Sequence, residues 1–388
     1  MDPGMAGAAP SVTRRSGGSV LEGSATGASW SSAMILAICL MAAGPVAVQP
    51  QDPAGEPMDA AEYVRRSLGA FPIVCLAEGG HAAREPHRFL QRLLSDTAVL
   101  AAVDVIIVEF AAGRHQAVLD AYIRGEDVTF SALSRIWRDT QQSPVGPWDS
   151  PLYQELLRVI RDANRLLPSS QQVRVLAGDP PIDWEAIRTR DEFTAARIAR
   201  DPYVAKLAME QAFVRDKTVL ILFGGAHLPR IPIAPGDPRN SLTHRILLRH
   251  PGTVRAIGFL NPENLGIENR IDQFEAGKVY PTDGHWVGGL DAARFFPMVY
   301  TPVVDTTTGR QGMQPIRLYT DRKVRELFDA LIFVGPSSQW EIVPASLDAE
   351  RDAAYIQELH RRSMIRFGRP HDTRGDQRRG EDALGIGG

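Results

Sequence analysis

The sequence predicts an α/β protein: one large domain with a largely parallel sheet flanked by helices. Three observations carry this expectation. Short, continuous apolar runs rich in β-branched residues recur along the chain, as strands buried on both faces require. Amphipathic segments of helical period separate them, which is the βαβ pattern. Several of these runs end in glycine beside an acid or a histidine, where parallel sheets place their ligands.

The elements follow in order. Phe71–Ala77 is the first strand, and Glu85–Ser95 a helix with Phe89, Leu90, Leu93 and Leu94 on one face and Pro86 in its first turn. Val103–Phe110 is a second strand ending in a carboxylate. His115–Arg124 and Thr129–Thr140 read as helices separated by Gly125, and Ser143–Pro151 as a turn-rich break. Leu152–Leu167 is the clearest helix of the chain, followed by a strand at Val173–Ala177 that closes on Gly178-Asp179-Pro180-Pro181. Asp191–Asp216 is helical, with a break near Pro202, and Thr218–Phe223 is a strand running into Gly224-Gly225-Ala226-His227. A helix at Ser241–Arg249 and a strand at Thr253–Phe259 come next. Residues 260–325 are rich in Gly, Pro and Asp, with one candidate strand at Phe296–Val304. Ala330–Val334 is a late strand, and Ala349–Phe367 a terminal helix.

The ends of the chain have a different composition. Arg14 and Arg15 precede an uncharged stretch from Trp30 to Val48 whose apolar heart is Met34–Ala43, too short to cross comfortably a hydrocarbon core of roughly 30 Å. Small residues at Ala42, Ala43, Gly44 and Ala47 complete the layout of a secretory signal cleaved near Ala47. The expected organisation is a signal peptide or N-terminal anchor over 1–48, a linker over 49–66, the α/β domain over 67–366 and a disordered tail over 367–388. The protein is then exported, periplasmic or extracellular, with membrane contact at its N-terminus if the leader is retained.

Composition narrows the classes. The chain of 388 residues is 44% hydrophobic and 23% charged, with a formal net charge of −3, which offers no basic stripe for nucleic acid. The expected partner is a small-molecule or peptide ligand. Its two cysteines are Cys39 in the leader and Cys75 in a strand, so the body has no disulfide framework, and Cys75 reads as a buried, inert thiol. There is no G-x-S-x-G elbow, no HExxH, no G-x-x-x-x-G-K and no G-x-G-x-x-G after a first strand.

The chemistry therefore rests on strand ends: Glu78-Gly79-Gly80-His81 after the first, Glu109 at the second, Gly-Gly-Ala-His227 after the fourth, and Asp179 after the third. Glycine lets the chain turn sharply and leaves room beside the imidazoles, and a carboxylate orients and polarises an adjacent histidine. Glu85 falls four residues after His81 and is expected to face the same pocket. His285 is a reserve candidate on a loop expected to fold over it. His87, His115, His244, His250 and His360 read as surface residues. Trp137, Trp148 and Trp184 read first as helix-packing residues, and otherwise as pocket walls.

Leu76-Ala77-Glu78-Gly79-Gly80-His81 with Glu85 resembles the opening G-E-x-x-H motif of the erythromycin esterase, ChaN and Tiki/TraB superfamily. Val105–Gly125, Trp148–Asp179, and Arg200-Asp201 followed by Gly-Gly-Ala-His-Leu-Pro resemble later blocks of erythromycin esterase-like proteins, over roughly residues 70–230. Gly224 and Gly225 stand where those esterases usually carry His-Asn. The resemblance implies convergence of Glu78, His81, Glu109 and His227. In an esterase-like form, one histidine is the general base for water, a glutamate orients it, and the other histidine or Arg84 stabilises the oxyanion. In a Tiki-like form, Glu78, His81 and His227 ligate Zn, Mn or Co. In a ChaN-like form, the cleft binds haem or another flat ligand without catalysis.

Overall fold

In the computed structural model the described residues are 55–145, 147–232, 241–296, 299–304, 311–316, 318–346, 349 and 351–372, the backbone alone being described between 299 and 316. The leader and most of the expected tail lie outside them. Among the described residues no helix is long and apolar enough to cross a membrane.

Ten strands are described: β1 (Met58–Asp59), β2 (Ile73–Ala77), β3 (Val105–Ala112), β4 (Arg174–Asp179), β5 (Val219–Phe223), β6 (Val254–Phe259), β7 (Lys278–Pro281), β8 (Val299–Val304), β9 (Gln311–Ile316) and β10 (Ala330–Phe333). Eight form one mixed, mostly parallel sheet in the order β1-β7-β10-β6-β2-β5-β3-β4, with β8 and β9 as a separate antiparallel pair. Strands β10, β6, β2, β5, β3 and β4 run parallel, and β7 runs against β10. The continuous apolar runs of β2, β3 and β5 are buried throughout, because helices cover both faces. Cys75 is enclosed there, and burial pushes its thiol up to about 12, so it is inert.

The chain leaves β2 for β3 and β4, returns to insert β5 between β2 and β3, and then crosses to β6 on the other side of β2. That reversal makes the carboxyl ends of the adjacent strands β2 and β5 a topological switch point, the position at which open α/β sheets bind ligands. In β3 the register with β4 shifts between Val108 and Ala112, so Glu109 lies where the strand departs from regular pairing. Such an irregularity re-aims a side chain that regular pleating would otherwise direct.

Several elements differ from the sequence expectation. The segment 49–66 is not all linker: β1 and the start of helix Ala60–Ala70 fall within it, and Asp59 caps that helix by accepting from Glu62 N at 3.0 Å. The long helix expected over Asp191–Asp216 is two helices, Arg190–Ala196 and Arg200–Met209, plus a wider turn at Glu210–Val214. The break precedes Pro202, which occupies the first turn of the second helix, where its missing N–H costs nothing. The strand expected at Phe296–Val304 belongs to the separate hairpin. The terminal helix runs Ala353–Phe367 and ends on Gly368 in the left-handed region.

That helix reaches back to the middle of the chain. Arg362 donates to Arg138 O at 2.7 Å, Ser143 Oγ at 3.0 Å and Asp139 Oδ1 at 2.6 Å, and Arg366 donates to Gln142 O and to Ser143 O. Arg361 donates to Ile187 O at 2.6 Å and Trp184 O at 2.7 Å. Asp139 also takes Arg135 at 3.0 Å and His115 at 2.8 Å, so its carboxyl is held well below the usual range despite burial. His115 is therefore an interior residue, contrary to the sequence reading. His87 is interior as well, edge-on to Tyr153, and burial lowers its affinity for a proton.

Two glycine substitutions test the packing. A Cβ on Gly178 in β4 would lie 2.6 Å from the Phe223 ring and 2.7 Å from Val108 O, whereas one on Gly69 in helix Ala60–Ala70 meets nothing within 4 Å. Gly178→Ala should lose about 1–3 kcal/mol and Gly69→Ala should be neutral or gain up to about 1 kcal/mol, read from urea unfolding midpoints.

Candidate functional site

Four side chains named from the sequence converge beyond β2, β3 and β5. Glu78 prolongs β2, its N–H bonded to Phe223 O at 3.0 Å, and the chain then turns at Gly79 with φ +82. Only glycine fits there, since a Cβ would also strike Pro86 at 2.4 Å. The turn brings His81 back so that Nδ1 bonds Glu78 Oε1. Tyr153 donates its hydroxyl to the same oxygen at 3.2 Å and accepts from Ala82 N at 3.1 Å. Trp148 packs edge-on against His81 at 4.9 Å between ring centres. Trp148 is thus a wall of the site, while Trp184 stacks on Phe193 and Trp137 packs near Phe130.

Glu109 is at the centre, buried. Its Oε2 accepts from Gly224 N at 2.6 Å and its Oε1 from Arg200 Nη1 at 2.5 Å. Arg200 Nη2 lies 3.1 Å from Asp179 Oδ2, while Asp179 Oδ1 accepts from Gln141 N at 2.7 Å. Gly224 explains why a small residue follows β5: a Cβ there would sit 3.2 Å from both Glu109 Oε2 and His81 Cε1, and 3.3 Å from His81 Nε2. His227 bonds Asp201 Oδ1 through Nδ1 at 2.6 Å and directs Nε2 toward Glu109 Oε1 at 3.6 Å. Two imidazoles, each anchored through Nδ1 to a carboxylate, thus face one ionised glutamate.

Burial sets the electrostatics, and charge then overrules it. Burial disfavours the His81 imidazolium, but the charge and hydrogen bond of Glu78 and the charge of Glu109 outweigh it and raise His81 above the ordinary value. For His227 burial is again outweighed, by Asp201 and Glu109. Burial would raise Glu109, yet His227, Arg200, His81 and the Gly224 N–H hold it well below the usual carboxylate range. Asp179 goes the other way, because burial lifts it to about 6 despite Arg200. Burial and the charge of Glu78 keep the Tyr153 hydroxyl protonated far above its usual range.

Arg84, Glu85 and His285 are elsewhere. Arg84 pairs with Glu341 through two bonds of 2.6 and 2.8 Å, and Glu85 accepts from Glu341 N at 2.9 Å. Both hold the 335–343 segment against the start of their helix and do not enter the site. His285 follows β7, whose antiparallel course carries it toward the amino-terminal ends of the parallel strands, and its Nδ1 accepts from Val287 N at 3.3 Å.

Arg200, Asp201 and Tyr153 were not singled out as site residues from sequence. The available signal was an Arg-Asp-Pro start to the helix feeding β5, with Asp201 in a first turn that favours anions. Tyr153 sits in the apolar stripe of its helix and carries no sequence signal of its own. The metal set expected from Glu78, His81 and His227 is not formed. Glu78 is spent on His81 Nδ1, the Arg200 guanidinium holds Glu109, and among the described residues no three His, Cys, Asp or Glu side chains are disposed around one ion.

Removing the guanidinium would leave Asp179 without a cation and Glu109 with only the histidines to meet its charge. Arg200→Met should therefore cost about 3–5 kcal/mol in urea unfolding at neutral pH. The histidines give a pH signature. Groups with raised folded pKa stabilise fully below the unfolded value of about 6.5 and lose that contribution as pH climbs through the folded value. The unfolding free energy should fall as pH rises from about 6.5 through the raised values of the two histidines, and less steeply in His81→Gln and His227→Gln.

No family model matches the chain, and no curated protein matches it. Solved structures to which it is similar include a Bacillus cereus protein, at 11% identity and TM-score 0.47 over 74% of this chain and 92% of that one. Another is a succinoglycan biosynthesis protein, at 9% identity and TM-score 0.45 over 73% and 94%. A mutant erythromycin esterase in its open conformation follows at 11% identity and TM-score 0.41, over 72% and 94%. These are distant likenesses of fold.

Proposed function

We propose that the chain is a hydrolase that cleaves an ester or amide of a small molecule or peptide by histidine acid–base chemistry, without a metal. The observation that carries this reading is the pair of carboxylate-anchored imidazoles facing Glu109 and Arg200 at the sheet's switch point. It favours the esterase-like form of the resemblance over the Tiki-like metal form. The apolar leader would deliver the activity to an exported compartment.

The two histidines have different tasks. His81, whose Glu78 partner also accepts from the Tyr153 hydroxyl, is assigned the base. His227, bonded to Asp201 at 2.6 Å and 3.6 Å from Glu109, is assigned the acid. Neutral His81 then takes a proton from water through Nε2 as the water oxygen attacks the carbonyl carbon. The charge growing on the carbonyl oxygen is met by the His227 imidazolium and the Arg200 guanidinium. The bond to the leaving oxygen or nitrogen breaks as His227 Nε2 supplies its proton, and transfer from His81 to His227 through solvent restores the start. The sum is one water consumed per bond cleaved.

The test is a panel of chromogenic esters and anilides, with protein dialysed against EDTA. Hydrolysis should survive dialysis and fall by about 10²–10⁴ in His81→Gln and in His227→Gln, with both variants folded. The rate should rise with pH through the raised value of His81 and decline through that of His227. Full activity in His81→Gln, or activity abolished by EDTA and restored by metal, would overturn the proposal. A Soret band on haem titration without any turnover would do so too.

A further inference from the structure

The site depends on a residue whose side chain does not touch it. Helix Arg200–Met209 supplies both Arg200, which holds Glu109 and Asp179, and Asp201, which holds His227. Its N-terminal residue Ala199 offers no side-chain cap, so another group must fix the line along which the chain enters the helix. Gln141 is that group. It is buried, and its Oε1 accepts from Ile198 N at 2.9 Å while its Nε2 donates to Ile198 O at 3.3 Å. The amide thus pairs with both polar groups of Ile198, two residues before Arg200, as a neighbouring strand would. The same Nε2 lies 3.4 Å from Pro180 O, and the Gln141 backbone N–H holds Asp179 Oδ1 at 2.7 Å. One residue therefore ties the end of β4 to the entry of the helix.

Its own position is fixed from outside. Gln142 and Ser143 give their carbonyls to Arg366, and Ser143 Oγ and Arg138 O receive Arg362. The first imidazole pair has no part in this linkage: Glu78 and His81 are held by the β2 turn, Tyr153 and Trp148.

We infer that Gln141 is a positioning residue that sets the Asp201–His227 pair, and the Arg200 bridge to Glu109, through its amide contact with Ile198. This rests on the proposed role of His227 as proton donor. The contact works by geometry: a side chain of similar size without the amide fills the space but lets Ile198, and with it Asp201, move.

The experiment is a pH titration of histidine-labelled protein followed by NMR, on the full chain, with Gln141→Leu and Gln141→Met. In the wild type His227 is exposed to Asp201, Glu109 and Arg200, and His81 to Glu78, Glu109 and Arg200. In both variants the midpoint of His227 should drop by about half a pH unit or more, since its hydrogen-bonded carboxylate retreats. The midpoint of His81, whose hydrogen-bonded Glu78 stays in place, should move distinctly less. Where a hydrolysable substrate is in hand, kcat should fall several-fold with KM little changed, and the alkaline limb of the rate profile should move down with His227. An unmoved His227 would overturn the inference. So would equal shifts of both histidines, which would mean general loosening, or loss of folding in both variants, which would assign Gln141 to the fold alone. The titration needs no turnover, so a protein that hydrolyses nothing would sink the proposed function while leaving this coupling to be read independently.

Discussion

A guanidinium held between two buried carboxylates organises this molecule. Arg200 takes Glu109 on one nitrogen and approaches Asp179 with another, and both acids lie in the interior, Asp179 at the end of β4 and Glu109 at the irregularity in β3. Burial works against ionisation of both, and even beside Arg200 it lifts Asp179 to about 6. The arrangement is worth little as net stabilisation, since desolvation consumes most of what the pairing returns. Its effect is specificity: the ends of β3 and β4 and the start of helix Arg200–Met209 have one mutual arrangement in which all three charges are met.

The same constraint divides labour between the imidazoles. Both are anchored by a carboxylate at Nδ1 and both feel Glu109, yet Glu78 is also bound by a hydroxyl while Asp201 is not. Equal chemistry at the first contact becomes unequal at the next one out. On the proposed reading, a ligand would meet a base on the β2 side and an acid on the β5 side, with the charged centre between them and Trp148 against His81.

Much of this was legible in the sequence because buried parallel strands leave an unbroken apolar signature and because polar residues ending such a run are few. Glu78, Glu109 and His227 were found that way, as was the glycine opposite His81. Arg200 and Asp201 were harder, because they begin a helix dense in charge, where most residues of their kind are solvated. Tyr153 occupies a core stripe, so only the tertiary structure reveals that its hydroxyl has a task. Arg84 and Glu85 were misplaced because their partner, Glu341, lies more than 250 positions away. His285 was misplaced because a four-residue strand does not disclose its direction.

The arginines of helix Ala353–Phe367 make contacts across some 220 positions of chain to the loop that carries Gln141. Contacts of such span close late, since the loop entropy must be lost before they form. On the ribosome the strands could assemble into a sheet before helix Ala353–Phe367 emerged, and the loop carrying Gln141 would gain its arginine contacts only afterwards. The pairing of the strands and the fixing of the Gln141 loop are therefore separate events in the life of this chain, with the loop the later of the two.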